Sequence, residues 1–348
     1  MTQAVELALD EAKKQGATSA EAGGGIDSGL SVSVRKGDIE TLEHHRGQSL
    51  SVTIYQNQRK GSASTSDLSP QSIREAVEAA NRIARYTSED DCAGLADKDR
   101  MATTLPDLDL YHPWAINAEA AIEIAMNCEA AALSQDARIT NTEGASVNTF
   151  GGVSVYGNSH GFLGVKQGTR HSVSCSVIAE DDSGMQRDYA YTSSRLPQRL
   201  ETPESLGKEA AEHALRRLSA RQLSTRTAPV IFAADIARGL LGSLVNAISG
   251  GALYRRASFL LDMKGQPIFP DFVQIKEDPL IQQAIGSTAF DSEGVATQRR
   301  SLVENGILQG YVLSSYSARK LGLQTTGNAG GVHNLTIDSG TDDFDALL

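Results

Sequence analysis

The feature of this sequence that most constrains its fold is a change in apolar period near the start of the chain. Leu30, Val32 and Val34 alternate with serines, and three further runs at 39–42, 50–55 and 62–65 follow across short turns. A period of two is typical of strands with one buried face, and turns this short join antiparallel neighbours. The pattern therefore predicts an antiparallel meander of four strands.

Helical patterns stand on both sides of this meander. Residues 2–15 place Val5, Ala8 and Ala12 on one face and stop at Gly16, a glycine typical of a helix end. Downstream of the meander, Ser69 followed by a proline is typical of the first residues of a helix. The first part of the chain is therefore predicted to be a two-layer α+β module.

The middle of the chain repeats this organisation. Residues 86–116 have the composition of a loop. Beyond them come a helical pattern after Asn117, β signals from 138 to 191, and a third strong helix that begins after Thr202. These patterns predict a second α+β module behind the first.

The last part of the chain has a different pattern. An apolar run at 228–232 predicts a buried strand, and a glycine-rich helix and several strand-like stretches follow it. The final residues, 344–348, begin an apolar helix without a polar stop, so we expect the chain to end inside its third domain. The predicted fold class is α+β, with helices packed on antiparallel sheets in two consecutive modules and then a β-rich, incomplete third domain; the predicted boundaries are 1–112, 113–226 and 227–348.

Composition narrows the function classes. The 32 basic and 43 acidic residues give a net charge of −11, and such a chain is not expected to bind a nucleic-acid backbone. Three scattered cysteines, and a beginning without a basic segment ahead of an apolar one, predict a cytoplasmic protein. The longest uncharged apolar stretch, 239–254, is too short and too polar for a membrane span, so no membrane association is expected.

Few catalytic motifs occur in the sequence. There is no HExxH, P-loop, GxGxxG or GxSxG motif. The hydrolase pattern SxxK occurs twice, as Ser317 with Lys320 and as Ser33 with Lys36, but without the SDN or KTG motifs that accompany it. Chance is the favoured interpretation of both matches.

Four residues in glycine-rich segments are candidates for a site. Asp291 and Glu293 are two residues apart beside a glycine and could bind a cation or act as acid and base, although a turn in which the aspartate bonds to its own backbone is favoured. His160 and His333 lie in loops rich in glycine and asparagine, where a histidine more often bonds to the backbone than serves a site.

Seven strings, in order along nearly the whole chain, resemble the TldD/PmbA metalloprotease family and specifically its PmbA branch, also called TldE. None of them is a catalytic motif, and no catalytic residue is assigned. The strings are RKGSAS at 59–64, RYTS at 85–88, ITNTEG at 139–144, GNSHG at 157–161, APVIF at 228–232, FDSEG at 290–294 and YSARKLG at 316–322. The resemblance implies three domains and members that continue beyond Leu348.

The resemblance also implies a zinc site that this chain does not carry. Active members of the TldD branch have HExxxH on a helix of the third domain, where two imidazoles bind zinc and the glutamate can act as general base. The matching helix here has Gly242 in place of the first histidine, Ser243 in place of the glutamate and Ala247 in place of the second histidine. No metal is therefore expected in this chain, and zinc is expected in a partner subunit.

The function implied by the resemblance is that of a PmbA-type subunit, inactive alone, in a heteromeric TldD/TldE protease. Its implied substrates are unstructured peptides, as in maturation of peptide-antibiotic precursors and degradation of antitoxins. Candidate substrate contacts are Asn141, His160, Asp291, Glu293 and His333. Two alternatives stay open: a peptide-binding or scaffolding protein without protease activity, and an independent hydrolase that uses Ser317 and Lys320 or the two carboxylates.

Overall fold

The computed structural model describes all 348 residues, and its largest element is one antiparallel sheet of six strands. The strands are β1 (Ser19–Arg35), β2 (Asp38–Gln56), β3 (Arg59–Thr65), β4 (Ile139–Asn158), β5 (Leu163–Asp181) and β6 (Gly184–Ser194). Their spatial order is β3-β2-β1-β4-β5-β6. Because β1 pairs with β4, with Val32 opposite Val147, the first two modules are two halves of one continuous sheet.

Four helices pack on one face of this sheet as two pairs. They are α1 (Thr2–Lys14), α2 (Pro70–Tyr86), α3 (Ala118–Leu133) and α4 (Pro203–Arg216). On β1, Ala22 belongs to the core under α1 and α2, and Val32 belongs to the core under α3 and α4. Positions separated by an even number of residues on a regular strand point to the same side. The opposite face, which we call the helix-free face, therefore carries none of these four helices.

The helix starts are where the sequence predicts them. The side chain of Ser69 accepts a hydrogen bond from the backbone N–H of Ser72, and a proline occupies the first helical position of α2. The side chains of Asn117 and Thr202 likewise accept a hydrogen bond from a backbone N–H in the first turn of α3 and of α4. Each cap satisfies one of the N–H groups that a helix leaves unpaired at its beginning.

The predicted four-strand meander is wrong in one respect, because it contains three strands. The runs at 39–42 and 50–55 both belong to β2, which pairs with β1 along its whole length, with His45 opposite Gly29. Apolar alternation is lost over 43–49 because most of these residues are exposed, so no buried face imposes the pattern there. The backbone ladder continues without it.

The carboxyl-terminal part of the chain forms a β-rich third domain around a smaller sheet. Its helices are α5 (Ala234–Ala247), α6 (Gly250–Tyr254), α7 (Ser315–Lys320) and α8 (Phe344–Leu347). Its strands are β7 (Ile275–Glu277), β8 (Arg300–Glu304), β9 (Ile307–Leu308) and β10 (Leu335–Ile337), in the order β10-β7-β8-β9. Together with the six-stranded sheet and its helices, this domain confirms the predicted α+β class.

The predicted buried strand at 228–232 is wrong. The segment has no regular secondary structure, and Val230 is 69% exposed. Ile231 and Phe232 are exposed as well. An apolar run indicates burial only where another surface covers it, and no strand of the chain pairs with this segment.

The third domain docks on the helix-free face and on the connection between α2 and α3. From α7, the Arg319 guanidinium donates hydrogen bonds to the backbone oxygens of Cys92, Gly94 and Leu95. On the sheet, Lys166 of β5 donates a hydrogen bond of 2.7 Å to the backbone oxygen of Phe290. None of the helices combines the length and the apolar character needed to cross a membrane.

Candidate functional site

The glycine turn at 290–294 is tied to the glycine-rich loop at 327–333 by the buried carboxylate of Asp291. One oxygen accepts hydrogen bonds from the backbone N–H groups of Glu293 and Val295, and the other accepts one from Ala329. Burial raises the pKa of Asp291 to about 6, against the lowering effect of these hydrogen bonds. Since both oxygens are occupied by backbone groups, Asp291 orders the turn and has no free face toward a substrate.

Glu293 points the other way, toward a cluster at the boundary of the first and third domains. It accepts a hydrogen bond of 2.9 Å from the backbone N–H of Ser315. In the same cluster, Tyr55 and Tyr156 donate hydrogen bonds of 2.9 Å and 2.7 Å to the two oxygens of Glu21. Burial raises the pKa of both tyrosines, and the charge of Glu21 raises it further. The two phenols therefore stay protonated, and their hydrogen bonds fix the position of the Glu21 side chain.

An open cleft of about 880 Å³ adjoins this cluster. On its far wall, Asp90 accepts hydrogen bonds from the Lys320 ammonium at 2.8 Å and the Tyr316 hydroxyl at 2.7 Å. These hydrogen bonds lower the pKa of Asp90 to about 2. Acidic residues outnumber basic ones in the lining: Glu21, Glu89, Asp90, Asp91 and Glu293 against Lys60 and Lys320. The cleft is chemically suited to a cationic group.

His333 lies at the opposite end of the glycine-rich loop from this cleft. Its backbone N–H donates to the buried carboxylate of Glu277, which also pairs with Arg300 at 2.7 Å and accepts from Asn328. The ring atom Nε2 is buried without a hydrogen-bond partner, and burial lowers the pKa of the ring. His333 is therefore a neutral imidazole beside a structural ion pair.

The structure does not bring the other two predicted contact residues, His160 and Asn141, together beside the Asp291 turn. His160 lies in the turn between β4 and β5, and the flanking Phe162 packs edge-on against Phe290, next to the Asp291 turn. Asn141 lies near the opposite end of β4, where its side chain accepts from the backbone N–H of Thr142. At about 3.3 Å per residue, the 20 residues of β4 extend over roughly 60 Å of strand, so the two residues lie far apart.

Neither SxxK pattern forms a hydrolase dyad. The Ser317 hydroxyl donates to the backbone oxygen of Ser314 in the capping box of α7, while Lys320 pairs with Asp90. Ser33 lies within β1, and Lys36 stands in the following turn with a positive φ of 54°. In both pairs the serine hydroxyl makes no hydrogen bond to its lysine, which such a dyad requires.

The residues expected to correspond to the family's zinc motif lie on α5, and their side chains do not fit a zinc ion. Gly242 and Ser243 are exposed, and an added Cβ at Gly242 would meet nothing within 4 Å. The Ser243 hydroxyl donates to the backbone oxygen of Gly239, and Ala247 is half-buried. Zinc needs imidazole, thiolate or carboxylate ligands, which none of these side chains provides. No group of three or more His, Cys, Asp or Glu residues elsewhere is arranged to hold a metal ion.

Sequence reasoning missed two basic residues that the structure brings together on the helix-free face. Lys166 of β5 contacts the third domain through Phe290, and Arg195, just after β6, contacts it through Ala284 and Ile285. The sequence gives one signal for Lys166: it precedes Gly168 by two residues and Arg170 by four, a spacing that places all three on the same side of a strand. It gives no signal for Arg195.

The fold and the absence of ligand side chains on α5 can be compared with known proteins. Models of the PmbA/TldA metallopeptidase family match three consecutive parts of the chain: domain 1 at 20–84, the central domain at 111–218 and the carboxyl-terminal domain at 225–348. These matches define the class of protein as a three-domain metallopeptidase-family chain.

Relatives narrow this class to one branch. The chain is 50% identical over all 348 residues to the metalloprotease PmbA of Escherichia coli O157:H7 and covers 77% of that protein. The chain therefore belongs to the PmbA branch of the TldD/PmbA metalloprotease family.

Solved structures agree with the fold. A Bacteroides thetaiotaomicron protein, described as a candidate modulator of DNA gyrase, superposes with a TM-score of 0.91 at 28% identity over 99% of this chain and 78% of that one. TldE from Thermococcus kodakarensis has the same fold, with a TM-score of 0.76 at 20% identity over 99% of this chain and 79% of that one.

Proposed function

We propose that this chain is the PmbA/TldE-type subunit of a cytoplasmic, heteromeric zinc metalloprotease that cleaves unstructured peptides. One observation carries the proposal: Gly242, Ser243 and Ala247 of α5, the helix that we expect to correspond to the family's zinc motif, have side chains that cannot ligate zinc. In this proposal a TldD-type subunit with HExxxH holds the zinc and performs the hydrolysis. The isolated chain is inactive, and the complex needs it to bind and enclose the peptide.

The structure offers an edge to which an extended peptide can bind. On the side away from β4, β6 pairs with β5 only from His171 onward, and the Thr169 N–H bonds to Leu110. By the alternation of an antiparallel ladder, the N–H and C=O groups of Val165 and Gln167 point away from β4. A groove of about 450 Å³ separates this edge from residues 105–111. Such an edge binds peptides by main-chain hydrogen bonds with little side-chain preference.

This binding mode suits substrates without fixed structure. Precursors of peptide antibiotics and unstructured antitoxins are the proposed classes, since both can present an extended backbone. The same edge also supports the second candidate function, a peptide-binding or scaffolding protein that acts without a protease.

The test is cleavage of an unstructured peptide by the full-length protein, alone and mixed with its HExxxH-bearing partner, with and without a chelator. Activity only in the mixture, abolished by the chelator, supports the proposal. Chelator-resistant activity of the chain alone would overturn it. Peptide binding without cleavage in any mixture would favour the scaffolding function.

A variant pair tests the β5 edge in the same assay. Gln167→Pro removes the outward N–H without touching the ladder to β4, whereas Gln167→Ala keeps that N–H. We expect the proline variant to raise KM for the peptide about tenfold and the alanine variant to leave it unchanged. Equal KM values for the two variants would exclude this edge as the binding site.

A further inference from the structure

Three basic side chains converge on one cavity of the helix-free face. Lys166 and Arg170 lie on the same side of β5, and Arg195 reaches over the strand from the end of β6. The cavity has a volume of about 460 Å³ and is closed on one side by the third-domain residues Ser287 and Thr288. We name Lys166, Arg170, Arg195 and this cavity the basic pocket.

Glycines make room for this arrangement. Gly25, Gly152 and Gly168, on the adjacent strands β1, β4 and β5, line the cavity without side chains. A Cβ added to Gly168 would come within 2.7 Å of Arg195 Nη1. The Arg195 guanidinium therefore lies directly over Gly168, between the positions of Lys166 and Arg170.

None of the three cations forms a salt bridge. Arg195 donates to the backbone oxygens of Ala284, Thr169 and Ile285 at 2.9, 3.1 and 2.7 Å, and Lys166 donates to the backbone oxygen of Phe290. The exposed Arg170 donates only to the Ser193 hydroxyl. A guanidinium has five N–H donors and an ammonium three, so each group keeps donors free.

One buried carboxylate, that of Asp291, is near enough to Lys166 to favour its charged form, and the lining of the basic pocket adds little further negative charge. The only acidic residue in its lining is Asp27, which lies 3.8 Å from the imidazole of His45. Burial lowers the pKa of Lys166 and of Arg195, and the nearby charge of Arg170 lowers that of Arg195 further. Unpaired, partly desolvated cations are costly unless an anion joins them. In a chain of net charge −11, such a cluster is selective for an anionic ligand.

We infer that the basic pocket binds a carboxylate of an extended peptide, either its carboxyl terminus or an acidic side chain. The inference rests on the proposed function only in taking a peptide as the ligand. Lys166 stands between Val165 and Gln167, whose backbone groups form the free β5 edge, so a peptide on that edge has neighbouring side chains about 5 Å from Lys166. Charge-assisted hydrogen bonds from a fork of donors then fix the carboxylate.

The experiment measures binding of dye-labelled unstructured peptides to the isolated chain by fluorescence anisotropy at low ionic strength. One peptide has a free carboxyl terminus and no acidic residue, the second is amidated with one glutamate, and the third is amidated without an acid. We expect at least one carboxylate peptide to bind about tenfold more tightly than the third, and the stronger of the two identifies the source of the carboxylate. Equal binding of all three, or no binding, overturns the inference.

Variants assign the binding to these residues. In Arg170→Gln and in Lys166→Met, the carboxylate peptide should bind less than threefold more tightly than the peptide without an acid. Gly168→Ala should have the same effect, because its added Cβ displaces the Arg195 guanidinium. Arg82→Gln, at an exposed arginine on α2, is the matched control and should leave the preference unchanged. Circular dichroism and thermal unfolding check that the variants fold. The inference is overturned if folded Arg170→Gln and Lys166→Met proteins both keep the preference for carboxylate peptides. It is also overturned if inorganic phosphate displaces all three peptides and the three peptides bind with equal affinity.

The outcome is separable from that of the proposed function. The amidated peptide without an acid has no ligand for the basic pocket, yet the protease complex should still cleave it. Cleavage without carboxylate preference would therefore contradict the basic pocket alone.

Discussion

The buried carboxylate of Glu129, on α3, accepts a hydrogen bond of 2.9 Å from the backbone N–H of Lys36, at the tip of the β1–β2 hairpin. Its second oxygen accepts from Gly37 at 2.8 Å. A helix of the central module thus holds the turn of the first module, although 93 residues separate the two partners.

Replacing Glu129 by glutamine should lower the free energy of unfolding by about 2 kcal/mol, because an amide offers one acceptor oxygen where the carboxylate offers two. Urea denaturation measures the loss. Glu123→Gln, on an exposed position of the same helix, is the control and should change stability by less than about 0.5 kcal/mol. Equal effects of the two substitutions would mean that the contact with the hairpin tip contributes nothing.

Gly61→Ala should prevent α2 from packing on β3. A Cβ at this position would collide with the backbone of Ala80 and Ala84, and backbone atoms of a helix cannot move aside separately. We expect a loss of about 3 kcal/mol or more, read from the denaturation midpoint. Ser62→Ala, on the next residue of the strand, is the control, and a Gly61→Ala protein as stable as that control would refute this packing.

The fold was predictable where a buried face imposes a pattern. The stripe of Val5, Ala8 and Ala12 and the caps at Ser69 and Asn117 are local signals, and the structure confirms them. The pairing of β1 with β4 has no local signal, because both edges of a strand look alike in sequence. The apolar run at 228–232 shows the converse: its residues are typical of a strand, but whether a partner covers them depends on the rest of the fold.

Asp291 should make stability decrease as pH rises through 6. Its pKa is raised from 3.8 to about 6 in the folded chain, so the folded state binds the proton more tightly than the unfolded state. This contribution is fully present below about pH 4 and is lost above pH 6, by up to about 3 kcal/mol. The measurement is the difference in unfolding free energy between the wild type and Asp291→Asn from pH 4 to 7. The unfolding free energy of the wild type minus that of Asp291→Asn should decrease as the pH rises from 4 to 7. A difference that does not change with pH would contradict the raised pKa of Asp291.

Binding of a carboxylate peptide should weaken above pH 8 through Lys166. Burial lowers the pKa of its ammonium to about 8, so the positive charge is lost between pH 7 and 9. Among the groups near Lys166, Asp291 and His333 titrate below this window, while Arg195 keeps its charge within it. Anisotropy titrations at constant ionic strength should show the step in the wild type and not in Lys166→Arg. A step of the same size in both proteins would assign it to another group.

The candidate site was less predictable than the fold, since its residues act through tertiary contacts. Asp291 and His333 are recognisable as residues of glycine-rich loops. The sequence does not indicate that both carboxylate oxygens of Asp291 accept hydrogen bonds from backbone N–H groups. Lys166 and Arg195 are 29 positions apart and belong to no motif, so only the packing of the third domain on the sheet reveals that they share a cavity. Asn141 shows that membership of a characteristic string does not place a residue near the others.

The junction of β1 with β4 has a consequence for synthesis of the chain on the ribosome. When β1 and β2 have emerged, the other edge of β1 stays open until Val147 and its neighbours follow, roughly ninety residues after the end of β2 at Gln56. At roughly 5 to 20 residues per second this interval lasts about 5 to 18 seconds. For that time a strand of 17 residues presents unpaired N–H and C=O groups, a template for pairing between nascent chains. The three glycines at 23–25 and the charge of Asp27 lie on that strand and lower its tendency to form such pairs before β4 arrives.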